Sequence, residues 1–388
     1  MRRKGNKRRL KRARRRRKLF TTPYIPLDLQ INILLRLPVK SLSRFRWVSK
    51  LWSSIINSRD FRNQHLNFAS SSAPGRLLIA FEDFHQKKLL LVSLPNPHAS
   101  SSYSYCVPYR DLRLRKFDGR VMYNPVHGLI CVGSRLMVEI FNPITRQLQA
   151  FPQDDPKGHD FFFGYDPIED QYKVLAIDES PLRAEHKVLV VGRDRAWRDP
   201  QCVACPHVSH TTGLYMNGTV YYGASTKDID SPNNIPIIMS FNVRFETFNI
   251  IKLPSEVVPM GIENMWTDKP LINYRGKLGV VKNPRNGYFR MWVLEDAEKE
   301  EWSMNTFQLP GSAAAVLDFK VMATFSNGEI CLVPRKLSDP FCLYYYNLEN
   351  KIMRSVIIKE LSVSELKRGE RLSVTVSDHY ESLMFLET

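Results

Sequence analysis

The sequence predicts an α+β multidomain protein in which a short three-helix segment precedes an all-β, propeller-like domain of about six blades. Two observations predict this fold. Apolar residues recur at helical spacing over residues 24–61. Strand-like runs separated by turns recur about every 50 residues between positions 76 and 388. Of the 388 residues, 43% are hydrophobic and 11% aromatic, as in folded proteins with a substantial core.

The chain begins with a basic segment. Residues 2–18 hold 13 of the 56 Lys and Arg residues and no acid, which leaves 43 basic and 39 acidic residues elsewhere. Because like charges at every spacing repel one another, we predict a disordered basic tail over residues 1–22. Such charge density is typical of nuclear-import signals. The predicted signal comprises Lys7, Arg8, Arg9, Lys11, Arg12, Arg14, Arg15, Arg16, Arg17 and Lys18.

Composition leaves other interpretations of the tail open. The alternative function is that of a nucleic-acid-associated protein acting through the tail, since Lys and Arg neutralise phosphates in a salt-dependent way. A transit peptide is disfavoured, because residues 7–18 contain no Ser and no amphipathic period. The third interpretation is a solvated tail without a role.

Other features of the chain predict its location. Six cysteines in a chain of this length do not make a disulfide framework. A secretory signal is not expected, because Leu19 and Phe20 run directly into Thr21-Thr22-Pro23. No apolar run approaches the roughly 20 residues that span a bilayer. We therefore expect an intracellular protein in the nucleus, the cytoplasm or both, with no membrane partner.

Residues 24–61 contain the signals of three short helices. Pro26 and Asp28 suit the start of the first helix, and Pro38 ends it. Its apolar residues recur at every fourth position, at Ile25, Leu29, Ile33 and Leu37. Ser41 can cap a second helix. A third helix has apolar residues at helical spacing, at Val48, Leu51, Trp52, Ile55 and Ile56.

This segment is too short to bury its apolar residues alone. Below roughly 40 residues, a lone domain is usually unstable without a staple or a partner. The helices therefore either pack on the rest of the chain or keep an apolar face for another protein. Periodicity alone favours the first arrangement, a helical hairpin within the core.

A residue pattern with fixed spacing reverses that preference. It comprises Ile25-Pro26, Asp28-Leu29, Ile33-Leu34, Arg36-Leu37-Pro38, Lys40-Ser41-Leu42, Arg44-Phe45-Arg46, Val48-Ser49-Lys50, Trp52 and Asp60-Phe61. On these positions the segment resembles the F-box family over its whole length. Trp47 stands where the family usually has a smaller residue. We predict an F-box over residues 23–66, followed by a Ser-rich linker over residues 67–75.

The resemblance implies a three-helix module that docks on a Skp-type adaptor and, through it, joins a cullin-RING ligase. The implied function is the substrate-recognition subunit of a Skp-cullin-F-box ubiquitin ligase complex. Carried over position by position, the implied adaptor contacts are Ile25, Pro26, Leu29, Ile33, Leu37, Pro38, Leu42, Val48 and Trp52.

The rest of the chain contains a repeated strand pattern. Four units, each with strand-like runs and a turn, lie near residues 128–152, 217–254, 275–310 and 327–358. The step from Phe241 to Val293 is 52 residues, as is the step from Val293 to Tyr345. The 100 residues between Phe141 and Phe241 leave room for another unit, which fits residues 163–197.

Repeats of this length are typical of propeller blades. A blade buries its faces only against its neighbours, and closing the ring removes free edges. The residues available allow roughly six blades. We expect the first blade, around residues 76–106, to be completed by terminal strands near residues 372–386.

Four short segments of this region carry a second, looser resemblance. They are Phe141 to Thr145, Phe163 to Pro167, Tyr172-Lys173-Val174, and Asn217-Gly218 before Val220-Tyr221-Tyr222. In these segments the region resembles the F-box-associated domains of plant F-box proteins. The resemblance implies a propeller-like domain over residues 76–388 that binds an unknown target protein.

No motif predicts catalysis or a metal site. Cys202, Cys205, His207 and His210 lie within nine residues, whereas a zinc finger separates its two ligand pairs more widely, so we favour a loop between blades. Phosphate-binding loops, dinucleotide fingerprints and hydrolase motifs are absent from the sequence. Asn217-Gly218-Thr219 is interpreted as a turn. We expect a non-catalytic protein without cofactor or metal. Its expected role is to hold a target protein close to the enzyme that modifies it.

Overall fold

The chain divides into two compact units, Met1–Phe68 and Ala69–Thr388. The computed structural model describes residues 25–72, 76–83, 88–96, 103–105, 107–109, 122–134, 137–152, 159–178, 185–194, 196–226, 235–257, 270–285, 287–311, 318–325, 328–359, 361, 372–379, 381–384 and 386. The predicted basic tail lies outside these residues. None of the described helices has the length and apolar content needed to cross a membrane.

Four helices form the N-terminal part, namely α1 (Leu27–Leu35), α2 (Val39–Phe45), α3 (Lys50–Asn57) and α4 (Arg59–Ser72). Pro26 and Pro38 stand immediately before α1 and α2. There the fixed φ of proline favours a helical start and its missing N–H costs no hydrogen bond. The Ser49 side chain caps α3 by accepting a hydrogen bond from the Trp52 N–H at 3.1 Å.

Two of the predicted helix starts are displaced. Ser41, predicted to cap the second helix, lies inside α2, because Pro38 already begins that helix and accepts the Ser41 N–H at 2.9 Å. Val48, predicted within the third helix, lies in the turn before it, because Ser49 is the capping residue. The proline and serine side chains therefore set these boundaries more strongly than the apolar period does.

The predicted linker is largely helical, and the structure has one helix more than predicted. α4 continues through Ser72, so residues 67–72 are helical and residues 73–75 lie outside the described part. The Ser58 side chain starts α4 by accepting the Phe61 N–H at 3.3 Å. Serine is only about 0.5 kcal/mol less favourable than alanine within a helix, so a Ser-rich run can extend a helix that has already begun.

The second unit contains six sheets, which confirms the predicted six-bladed architecture. Blade 1 contains β1 (Arg76–Asp83), β2 (Lys88–Pro95), β4 (Val107–Tyr109) and β25 (Leu372–His379). Blade 2 contains β5 (Met122–Val126), β6 (Leu129–Gly133), β7 (Met137–Asn142) and β8 (Gln147–Pro152). Blade 3 contains β9 (His159–Asp166), β10 (Gln171–Asp178) and β11 (His186–Val190).

The remaining three blades follow the same plan. Blade 4 contains β12 (His207–Ser209), β13 (Leu214–Met216), β14 (Thr219–Thr226), β15 (Ile235–Asn242) and β16 (Thr247–Lys252). Blade 5 contains β17 (Leu271–Tyr274), β18 (Lys277–Arg285), β19 (Tyr288–Asp296) and β20 (Glu301–Gln308). Blade 6 contains β21 (Phe319–Thr324), β22 (Glu329–Pro334), β23 (Cys342–Asn347), β24 (Met353–Lys359) and, from the blade 1 segment, β3 (Tyr103–Tyr105).

The C-terminal strand closes the ring. β25 pairs antiparallel with β1 over its whole length, from Arg76 opposite His379 to Asp83 opposite Leu372. Strands of successive blades contact one another in a closed circle, which runs through β25, β5, β9, β14, β17, β21 and back to β25. This confirms the prediction that the first blade is completed by a terminal strand.

The chain beyond β25 reaches blade 2. Asn142 Nδ2 donates to the carbonyl oxygens of Ser382 at 3.2 Å and Met384 at 2.6 Å. Gln147 and Leu386 exchange two hydrogen bonds, of 2.8 and 3.2 Å. The C-terminal segment therefore ties blade 1 to blade 2.

Two kinds of turn repeat around the ring and account for the period of the sequence. Type I′ hairpin turns, with positive φ at both central residues, occur at His127-Gly128, Asn217-Gly218 and Arg275-Gly276. In five other turns among the described residues a side-chain oxygen accepts the N–H groups two and three residues ahead, at Asn142, Asp166, Asn242, Asp296 and Asn347. The turn predicted at Asn217-Gly218-Thr219 is confirmed.

One charged cluster is buried between blades 3 and 4. The Glu246 side chain has no exposed surface and accepts hydrogen bonds from Arg198 at 2.6 and 2.8 Å, Lys173 Nζ at 2.7 Å and the Gln201 N–H at 3.1 Å. Burial by itself would raise the pKa of Glu246. The hydrogen bonds and charges of Arg198 and Lys173 outweigh burial, so the pKa lies below its ordinary value.

Candidate functional site

The exposed apolar side chains of the helical unit form the candidate site. Eight large apolar side chains are exposed within residues 25–68, compared with ten in the whole described part of the second unit. The eight are Ile25 (47%), Leu27 (41%), Leu29 (54%), Ile33 (52%), Trp47 (88%), Val48 (63%), Leu51 (46%) and Phe68 (40%). So high a density of exposed apolar residues is typical of an interaction surface.

A small interior holds the helices in place. Its buried side chains are Leu34, Val39, Leu42, Ile56, Phe61 and His65. Trp52 Nε1 donates to Gln30 Oε1 at 2.7 Å and so joins α3 to α1. The Trp52 ring also lies 5.3 Å from the Phe45 ring, measured between centroids. Trp52 therefore orients the helices that carry the exposed side chains.

The exposed residues fall into two clusters, which we call the α1 cluster and the α2–α3 cluster. The α1 cluster is centred on Leu29 and Ile33, which lie one helical turn apart. The α2–α3 cluster comprises Trp47, Val48 and Leu51, at the turn into α3 and its first residues. Together they form the apolar surface of the helical unit.

Positive charge accompanies this apolar surface. The exposed basic residues of this segment are Arg36, Lys40, Arg44, Lys50 and Arg59, and the exposed acids are Asp28 and Asp60. A surface of this kind suits a partner whose own apolar contact is bordered by acidic groups.

The nine predicted adaptor contacts occupy three different environments. Six of them are exposed, namely Ile25, Pro26, Leu29, Ile33, Pro38 and Val48. Leu37 and Trp52 are half-buried, and the Leu37 carbonyl lies 3.1 Å from a ring nitrogen of His65. Leu42 has no exposed surface, because it packs in the interior of the helical unit, so we leave it out of the proposed docking surface as a correction.

Sequence reasoning did not assign four of the exposed apolar side chains to the docking surface, namely Leu27, Trp47, Leu51 and Phe68. The family pattern includes neither Leu27 nor Trp47, and the apolar spacing of the third helix includes Leu51 without showing that it is exposed. For two of them the local sequence could have indicated exposure. Trp47 lies outside the apolar spacing of the third helix, and Leu51 directly follows Lys50, which is exposed.

The Cys and His residues near blade 4 form no metal site among the described residues. His207 is buried, with Nδ1 2.8 Å from the Cys205 carbonyl and Nε2 3.0 Å from the Tyr222 hydroxyl. Burial lowers the pKa of His207, although the Cys205 carbonyl opposes this shift. His210 lies 2.7 Å from the Ser225 hydroxyl. These side chains therefore serve the packing of blade 4.

Comparisons with known proteins agree with this architecture. Residues 24–64 match the family model of the F-box domain, and residues 76–380 match that of the F-box associated beta propeller domain. An F-box protein of Arabidopsis thaliana is 55% identical over 387 residues, which cover 95% of this chain and 98% of that protein. The F-box protein DOR of the same plant is 34% identical over 359 residues, covering 86% and 88%.

A third relative and one solved structure are also similar to this chain. An Arabidopsis thaliana F-box/kelch-repeat protein is 32% identical over 397 residues, covering 90% of this chain and 89% of that protein. Among solved structures, a luciferin-regenerating enzyme matches with a TM-score of 0.36 and 9% identity, over 61% of this chain and 75% of that one. Similarity at that level supports no inference about function. The two family models and the relatives together show that this chain belongs to the plant F-box proteins that carry an F-box-associated β-propeller.

Proposed function

We propose that this protein is the substrate-recognition subunit of a Skp-cullin-F-box ubiquitin ligase complex. The helical unit binds a Skp-type adaptor, the adaptor links it to a cullin-RING ligase, and the propeller holds the target protein. The observation that carries the proposal is the concentration of exposed apolar side chains on helices of an F-box.

The energetics of the helical unit support docking on a partner. Exposed apolar surface contributes roughly 25 cal/mol per Å² when it is removed from water. Leu29, Ile33, Trp47 and Val48 are each more than half exposed, so a partner can still bury much of their surface. Residues of this kind at the centre of an interface typically contribute about 2–4 kcal/mol each when they act as anchors.

In this proposal the chain provides no catalytic group. Ubiquitin transfer needs a target lysine close to a loaded enzyme, and a receptor supplies that proximity by binding both sides of the complex. The motif-poor sequence and the packing role of His207 and Cys205 agree with a receptor that performs no chemistry itself.

Proximity labelling in plant cells with the proteasome inhibited tests this function. The comparison is between the wild type and a Leu29→Asp/Ile33→Asp variant, which places two charges on the α1 cluster. Asn32→Asp, also exposed on α1, is the matched control for added charge. We expect a Skp-type adaptor and a cullin to be enriched with the wild type and the control but lost with the double variant. Equal enrichment with all three chains would remove the proposal.

The basic tail has a separate proposed role in nuclear import, based on the basic residues between Lys7 and Lys18. Deletion of residues 2–18 from a fluorescent fusion should move the protein from the nucleus to the cytoplasm. If the deletion leaves the distribution unchanged but abolishes RNA or DNA retention at low salt, the nucleic-acid alternative is supported instead.

A further inference from the structure

The outer edge of one blade is already occupied by an added strand. In blade 6, β3 pairs parallel with the outer strand β24, from Tyr103 opposite Ile357 to Tyr105 opposite Lys359. β3 comes from the segment that otherwise builds blade 1, so it reaches blade 6 as a separate extended piece of chain. An outer edge of this propeller can therefore accept an extended strand.

Two further outer strands are partly covered by the chain that follows them. In blade 3, Arg198 pairs with Val188 of β11 through backbone hydrogen bonds of 2.7 and 3.1 Å. In blade 2, the last carbonyl of β8 belongs to Pro152 and accepts a hydrogen bond from Trp197 Nε1 at 3.0 Å. These contacts use backbone groups that another chain would need for pairing.

The outer strands of blades 4 and 1 also have features that hinder pairing with another chain. The last carbonyl of β16, at Lys252, accepts a hydrogen bond from Trp302 Nε1 at 3.1 Å. β4 contains Pro108, which has no N–H to donate. β20 of blade 5 has eight residues, compared with six in β8 and in β16.

The register of β20 shows which backbone groups face outward. The Leu309 N–H donates to the Gly287 carbonyl at 2.8 Å, so these two positions form a hydrogen-bonded pair. Such pairs alternate with non-hydrogen-bonded pairs along an antiparallel ladder. Met304 and Thr306 therefore occupy non-hydrogen-bonded positions opposite β19, and their N–H and C=O groups point away from it. Within the described part of the chain, no strand pairs with this side of β20.

Beyond Glu301, β20 also lacks the features that keep an edge strand from pairing. Residues 302–308 include no charged residue and no proline. Met304 and Thr306 are exposed. The only register shift between β19 and β20 lies at the start of β20, between Leu294 and Asp296, so the rest of this edge is regular.

We infer that the outer edge of β20 binds an extended, uncharged segment of the target protein as an added strand. This inference rests on the proposed function, because it takes the propeller to be the part that holds the target. Main-chain hydrogen bonds at Met304 and Thr306 provide the affinity, as in other cases of strand addition. Tyr103-Ser104-Tyr105 on β24 is an example of such a segment within the chain itself, and it too carries no charge.

A proline placed on the outward side of β20 tests this inference. Thr306→Pro removes an outward N–H but leaves pairing with β19 intact, because proline is tolerated where the strand N–H faces solvent. The probe is a phage-displayed library of linear peptides selected on the full-length chain. We expect the selected peptides to bind Thr306→Pro about tenfold more weakly than wild type, and to bind Thr306→Ala as the wild type does.

A second variant keeps the test decisive if Thr306→Pro does not fold. Met304→Lys adds a charge of the kind that protects natural edge strands, so it should also weaken peptide binding. Equal binding of the peptides to wild type and the variants, or a library that yields no binder, would overturn the inference. A wild-type dimer that Thr306→Pro dissociates would place a second copy of the chain on this edge, and would also overturn it. Adaptor affinity should be unchanged in both variants, which separates this result from a failure of the receptor function.

Discussion

The helical unit and the propeller differ in how completely they bury their apolar residues. In the propeller, strands such as β6 and β10 are buried almost throughout, because each blade is covered by its neighbours and the ring has no end. In the helical unit only a few side chains reach the interior, and two clusters of large apolar residues stay exposed. A short helical segment can therefore keep an apolar surface available to a partner, whereas a closed ring buries its apolar residues between its own blades.

The arrangement of exposed residues differs as well as their number. Ten large apolar side chains are exposed in the described part of the propeller, and they are spread over many strands and turns, from Met137 in β7 to Ile352 beside β24. In the helical unit seven of the eight exposed residues lie within residues 25–51. Single exposed residues are ordinary on any protein, but a cluster indicates a contact surface.

The largest expected effect lies in the propeller, at its buried charge cluster. Glu246→Gln leaves the buried Lys173 without a negative partner and removes the carboxylate that Arg198 contacts, although Arg198 keeps Asp194 at 3.6 Å. The free energy of unfolding should therefore fall by about 4 kcal/mol. Urea denaturation of the full chain measures this change. Asp199→Asn is the matched control, because Asp199 pairs with Lys187 at 2.7 Å on an exposed surface and should contribute less than about 1 kcal/mol.

The same cluster predicts a pH dependence. Because the folded pKa of Glu246 is lowered, its stabilising contribution is present above the ordinary value of 4.5 and is lost as the pH falls through the folded pKa. The difference in unfolding free energy between wild type and Glu246→Gln should therefore shrink below about pH 4.5. A difference that stays constant from pH 7 to pH 3 would show that the charge of Glu246 does not stabilise the fold.

Two leucine variants compare a buried position with an exposed position in the helical unit. Leu42→Ala opens a cavity in a small interior and should lower the unfolding free energy of this unit by about 3 kcal/mol. Leu29→Ala removes a side chain that is 54% exposed and should change the same free energy by less than about 0.5 kcal/mol. Hydrogen exchange of the α1 and α2 amides measures both. Similar protection losses in the two variants would mean that Leu29 is part of the interior.

The smallest expected effect concerns closure of the propeller. Asn142→Asp keeps the turn made by the side-chain oxygen but loses the donor to the Ser382 and Met384 carbonyls. The cost should be about 2 kcal/mol in urea denaturation. Asn242→Asp changes the same turn in blade 4 and serves as the control. If both substitutions have the same effect, the C-terminal segment contributes nothing to closure.

Much of the fold could be predicted because its signals are local. The strands near residues 128–152, 217–254, 275–310 and 327–358 carry glycine and Asn or Asp turns, and those turns also appear in the structure at Gly128, Gly218, Gly276 and Asn347. The closing strand β25 could be predicted because an open ring leaves one blade incomplete. Both arguments need only spacing and the cost of unpaired edges.

Other features could not be predicted because they depend on contacts between distant residues. Lys173, Arg198 and Glu246 meet in one buried cluster, yet nothing in their spacing links them. β3 is three residues long and pairs with β24, more than 250 residues further along the chain. Within the site, the family pattern includes both Leu42 and Leu29. Their different burial depends on how the helices pack against one another, which the pattern does not contain.

The dissociation constant of the full-length chain for a purified Skp-type adaptor tests the central claim most directly. The claim is that the α1 cluster is an uncovered apolar surface that a partner completes. Calorimetric titration should give a dissociation constant at least about 100-fold higher for Leu29→Asp/Ile33→Asp than for wild type, with Asn32→Asp unchanged. The same dissociation constant for all three chains, with all three folded, would contradict the account.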